Sequence, residues 1–139
     1  MSRKTARETT MKLLYQIDIS GETWVEVIQS FYENFEGDVL AEDEKVYIEN
    51  CVKGTMESLK AIDEIIQKYS KEWKINRIAK VDLAIMRLAI YEMTQREDIP
   101  KAVSINEAIE LSKKFGGENS STFINGILGN IIREFNAND

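Results

Sequence analysis

The stretch Arg77-Ile78-Ala79-Lys80-Val81-Asp82-Leu83-Ala84-Ile85-Met86-Arg87-Leu88-Ala89-Ile90-Tyr91-Glu92-Met93 decides the fold. It contains neither Gly nor Pro, and Ala, Leu and Met supply most of its helix propensity, so it reads as a helix. At about 100° per residue, Lys80, Ala84, Arg87 and Tyr91 share one narrow strip while apolar side chains take nearly every other direction. That is the pattern of a helix enclosed by neighbours, and it predicts an all-α bundle packed around this segment. Two carboxylates interrupt the apolar surface, Asp82 and Glu92. An acid so placed must be paired, hydrogen-bonded, or set at an opening in the packing.

The flanking segments supply the neighbours. Upstream, Lys71-Glu72-Trp73-Lys74-Ile75-Asn76 is a short connector whose Trp73 is expected to be buried where the two halves of the chain meet. Before it, Ile48, Val52, Thr55, Leu59, Ile62, Ile66 and Tyr69 recur at a spacing of about 3.5 residues, which predicts one long helix over 43–69, bent near Ser58. Downstream, Pro100 disfavours helix at Ile99. Ser104-Ile105-Asn106-Glu107 reads as a capping box opening a helix that Phe115-Gly116-Gly117 stops. Glu118-Asn119-Ser120-Ser121 offers caps for a last helix that turns Ile124, Ile127, Leu128, Ile131 and Phe135 inward. Gly126 and Gly129 weaken that helix, and close approach to the central helix is the expected reason. At the start of the chain, Ser2 caps a first helix reaching about Ile19, with Ala6, Thr10, Leu13, Leu14 and Ile17 on its core face. Ser20-Gly21 ends it, Trp24, Ile28, Phe31 and Phe35 mark a second helix, and Gly37-Asp38 is a turn.

With 139 residues, 43% of them hydrophobic, the chain can bury one core. No run of about 18 apolar residues spans a membrane, and the basic N-terminus lacks the apolar centre of a secretory signal, so a cytoplasmic location is expected. Cys51 is the single cysteine and there is no His, which excludes an internal disulfide and a zinc site of the usual kind. No Gly-rich phosphate loop, activated nucleophile, metal cluster or cofactor motif appears, so no catalytic residue, metal or cofactor is expected.

The net charge of −6 argues against indiscriminate coating of nucleic acid, but the charge is unevenly placed. Residues 1–12 carry Arg3, Lys4, Arg7 and Lys12 against Glu8, whereas residues 33–64 hold ten acids against three lysines. On the first helix Arg3, Lys4, Arg7, Met11 and Tyr15 project within about a third of the circumference, beside the core stripe, and Lys12 points the other way. Such a stripe is either a solvated charged face or a phosphate-gripping arm with an aromatic for base stacking.

The segments Ala6-Arg7-Glu8, Leu14-Tyr15-Gln16, residues 81–92, Asp98-Ile99-Pro100, Ser104 to Leu111 and Phe123-Ile124-Asn125-Gly126-Ile127-Leu128 together resemble the NusB transcription antitermination factors of bacteria, in order and over essentially the whole chain. The resemblance implies an all-α fold of about six to seven helices in two packed subdomains, about 1–70 and 75–136, within one domain covering 1–139. It implies binding of the boxA segment of ribosomal RNA leader transcripts with the ribosomal protein NusE, in a complex with other Nus factors and RNA polymerase. By the same resemblance the RNA-binding residues are Arg3, Lys4, Arg7 and Tyr15 on the first helix and Asn119, Ser120, Thr122 and Phe123 at the start of the last. Asp82 is the acid facing the ribosomal partner. The arm has fewer arginines than basic members of the family, and Thr122 stands where a lysine often occurs.

Each assignment has a plainer counterpart. Phe123 either stacks a base or caps the core, and Asn119 either touches RNA or only caps its helix. Glu92 is assigned to a buried hydrogen bond, and Arg87 to RNA, partner or local ion pair without ranking. Two other readings of the whole chain remain at this stage. The same module resembles the N-terminal region of bacterial RNA cytosine-5 methyltransferases, which predicts a longer gene. Alternatively, a homodimer buries the N-terminal stripe.

Overall fold

The structure is a computed structural model that describes residues 2–35 and 40–137, so the expected Gly37-Asp38 turn lies outside the described residues. Among the described residues there are seven α-helices and no strand: α1 (Arg3–Ser20), α2 (Trp24–Asn34), α3 (Glu42–Glu57), α4 (Leu59–Tyr69), α5 (Lys80–Gln95), α6 (Lys101–Phe115) and α7 (Ser120–Ala137). Helix α5 is the hub, packed against α1, α3, α4, α6 and α7. Its Leu83, Ile85, Met86, Leu88 and Ile90 are wholly enclosed, as its all-round apolar surface requires.

Local signals place most helix ends. The Ser2 hydroxyl accepts from the Thr5 N–H at 3.1 Å, and Gly21 closes α1 at φ 74°, a left-handed conformation that glycine adopts without strain. The expected long helix is divided at Ser58, whose φ of −105° and ψ of 13° separate α3 from α4. The divide lets α3 lie on α1 and α5 while α4 reaches α7.

Three expectations are corrected. Helix α6 begins at Lys101, a turn earlier than a capping box at Ser104 requires, with Pro100 as its N-cap. Ser104 therefore lies inside the helix, where its hydroxyl donates to Glu92 at 2.7 Å, and Glu107 approaches Arg7 instead of a free N–H. Trp73 is not buried: it is 51% exposed. Gly126 and Gly129 do not mark close helix contact, since a Cβ at Gly126 would meet nothing within 4 Å and one at Gly129 only the end of Arg133. The tight contact falls at Gly54 of α3, where a Cβ would enter the Tyr91 ring of α5.

Candidate functional site

Helix α1 packs on both α3 and α5, and this double contact widens its buried arc beyond one stripe. Ala6, Arg7, Thr10, Met11, Leu13, Leu14 and Ile17 are all inside. Arg7, expected on an open arm, is 5% exposed. Its Nε donates to Glu92 Oε2 at 2.9 Å and its Nη2 to Oε1 at 3.4 Å. Glu92 is fully buried and also accepts from the Tyr47 and Ser104 hydroxyls. One carboxylate thus joins α1, α3, α5 and α6, with every donor a group that could not stay unpaired in the core. Burial together with the Glu92 charge drives the Tyr47 hydroxyl far above its ordinary range, so it stays a donor.

Around this hub the arm keeps part of its expected surface. Arg3 and Lys4 are exposed and Tyr15 is 38% exposed. The Arg3 guanidinium lies 4.5 Å from the Tyr47 ring centroid, a cation–π contact that orients it. Sequence reasoning missed what α6 adds beside the arm. Its last turn brings Lys114 to Glu8 at 2.6 Å and sets Phe115 between Lys114 and Lys12, at 5.2 and 5.0 Å. The Glu8 carboxyl is held below its usual range chiefly by that Lys114 hydrogen bond. The only signal was Lys113-Lys114 in a last turn, where cations also suit the helix dipole. Arg87, left unranked, forms a local ion pair: its Nε and Nη2 bind Asp63 at 2.8 and 2.9 Å, with Asp18 3.5 Å from Nη1.

The second region is built where the N-termini of α5 and α7 meet. A cleft of 270 Å³ there is walled by Asp82 of α5, by Asn119, Ser120 and Phe123 at the start of α7, and by Trp73 and Arg77 from the connector. Asn119 and Thr122 are exposed, Phe123 is half-buried, and Ser120 is buried with its hydroxyl accepting from the Gly117 N–H at 2.9 Å. Thr122 lies outside this cleft, in the adjoining one of 360 Å³. Asp82 is 7% exposed, and among the described residues its Oδ1 has no hydrogen-bond partner. Burial raises its carboxyl pKa, opposed only by the Ser120 hydroxyl. An acid kept there without a cation weakens the fold.

Among the described residues no group of three or more side chains could hold a metal ion, and no helix is long and apolar enough to cross a membrane.

Comparison with known proteins gives a consistent answer. Residues 4–133 match the model of the NusB family. The transcription antitermination protein NusB of Acetivibrio thermocellus is 49% identical over 133 residues, covering 96% of this chain and 90% of that protein. A solved structure of NusB from T. maritima superposes with a TM-score of 0.87 at 33% identity, covering 96% of this chain and 92% of that one. NusB in a crystal structure with NusE and double-stranded RNA superposes with a TM-score of 0.74 at 27% identity, covering 95% and 96%.

Proposed function

The chain belongs to the NusB family, and from that premise we propose that it is a non-catalytic, RNA-binding transcription antitermination factor of the cytoplasm. It binds boxA of ribosomal RNA leader transcripts together with ribosomal protein NusE, in an assembly with other Nus factors and RNA polymerase. Arg3 and Lys4 neutralise phosphates, and Tyr15 and Phe123 offer rings to unpaired bases. Asn119, Ser120 and Thr122 give polar contacts beside them. Asp82 receives a cation or N–H donor from the protein partner. Arg7 acts from behind, holding α1 on α5 through Glu92 rather than touching the strand.

The observation that carries this reading is the convergence at one cleft of Asp82 with Asn119, Ser120 and Phe123, more than thirty residues away in sequence. A partner seated on Asp82 is thereby placed against RNA held at the start of α7, so each strengthens the other's binding. Gel shift with boxA RNA tests this directly. The chain with NusE should retard the RNA more strongly than either alone, and Phe123→Ala should weaken the ternary band while leaving the chain folded. Absence of any shift with both proteins present would refute it.

A further inference from the structure

We propose that the connector between α4 and α5, residues 70–79, is a second contact element for single-stranded RNA, in which Trp73 stacks on a base and Lys71, Lys74 and Arg77 lie along its phosphates. The inference rests on the RNA-binding reading above and extends it to residues that reading does not use. Three features carry it.

The connector is built rather than loose. The Gln67 side chain donates to the Trp73 carbonyl at 3.1 Å and accepts from the Ile75 N–H at 2.9 Å. Ser70 donates its hydroxyl to that same carbonyl at 3.0 Å, and its own carbonyl accepts from the Trp73 N–H at 2.6 Å. These bonds fix the backbone on both sides of Trp73 and hold the indole outward. A large apolar ring presented to water by a fixed backbone is a surface prepared for a partner.

The charge identifies the partner. Lys71, Lys74 and Arg77 are exposed, and among the described residues none of them makes an ion pair, whereas Lys68 and Lys80 on either side are bound to Glu134 and Asp18. With Glu72 as the lone acid, the connector carries a net +2 on a chain of −6. A polyanion is attracted there. Cations alternating with an exposed aromatic is the pattern that grips a single strand, where bases are free to stack.

The surroundings continue the site. Trp73 and Phe123 line both the Asp82 cleft and the adjoining one, so the two rings form a ridge between paired hollows. Gly126 forms part of the second hollow with open space above it. Nothing inside the molecule requires a glycine there. A bare stretch of helix backbone beside aromatic rings admits a ribose or base at close range.

Fluorescence anisotropy with labelled boxA RNA, on the full chain with and without NusE, tests the proposal. Trp73→Ala should weaken binding about tenfold, within the range of one lost base stack, and Trp73→Phe should restore most of it. Lys71→Gln, Lys74→Gln and Arg77→Gln combined should lower the slope of log K against log salt by about 2, from three phosphates at about 0.7 each. In a Trp24→Phe background, RNA should quench the remaining Trp73 emission. Wild-type affinity and salt slope in these variants, with the wild-type chain binding normally, would overturn the proposal and leave the proposed function standing. Loss of NusE association with unchanged RNA affinity would overturn it by making the connector a protein contact. Failure of the wild-type chain to bind RNA at all, even with NusE, would remove both readings.

Discussion

Replacing Arg7 with Met removes one charge from a sealed pair and leaves the other in place. Arg7 is 5% exposed and Glu92 fully buried, and their two contacts of 2.9 and 3.4 Å form a forked ion pair. After the substitution the carboxylate faces only the hydroxyls of Tyr47 and Ser104. Breaking a buried pair from one side costs about 3–5 kcal/mol, and the two surviving donors set the expectation near the lower end, about 3 kcal/mol. Against a total stability of about 5–15 kcal/mol this is severe, and for a chain of this size it lowers Tm by about 10 °C. Urea unfolding followed by circular dichroism measures it as a fall in midpoint at constant slope. The double variant Arg7→Met with Glu92→Gln, which leaves no orphan charge, should recover more than half the loss. A cost below about 1 kcal/mol for the single variant, or no coupling in the cycle, would refute the account. Under conditions where Arg7→Met remains folded, the salt slope of RNA binding should match the wild type, while Arg3→Gln lowers it by about 0.7.

Asp82→Asn should stabilise the protein at neutral pH. Its folded carboxyl is raised by burial, so the protonated form favours folding and that advantage is lost as pH rises through the folded value; a Tm difference that fails to shrink on acidification would count against it. The same variant should weaken NusE association by calorimetry. Gly126→Ala, entering open space on an exposed helix, should raise stability by about 1 kcal/mol, and a fall in Tm would contradict the open geometry. Gly54→Ala should do the opposite despite the same propensity gain, because its methyl meets the Tyr91 ring; a net loss of about 1–2 kcal/mol is expected from overpacking, read by thermal unfolding.

Periodicity and turn chemistry were enough to place the central helix, the Ser2 cap, the Gly21 stop and the inward face of α7, because those are local properties of the chain. The break at Ser58 showed only as a bend, since the apolar spacing runs through it without interruption. What local pattern could not carry were competitions between a nearby partner and a distant one. Ser104 and Glu107 have the spacing of a capping box, yet Glu92 and Arg7 bind them across the core. Arg7 lies on the wheel beside Arg3, yet a second neighbour of α1 covers one and not the other. Trp73 read as core because large aromatics usually are, and its exposure depends on hydrogen bonds from Gln67 and Ser70 that no spacing rule announces. For the site, Asp82 and the start of α7 were legible as separate segments, and their meeting around one cleft was not, because it depends on how the starts of α5 and α7 are brought together.

The four-helix junction at Glu92 has a further consequence. Helices held by greasy contact alone can ratchet by a turn and find nearly equivalent packing, but a point charge tolerates no such slip: moving α1 one turn, about 5.4 Å, would carry Arg7 out of reach of its acid. The bundle therefore behaves as a rigid gauge. Under the proposed function, Arg3 and Phe123 then meet the transcript at a separation that the fold itself fixes.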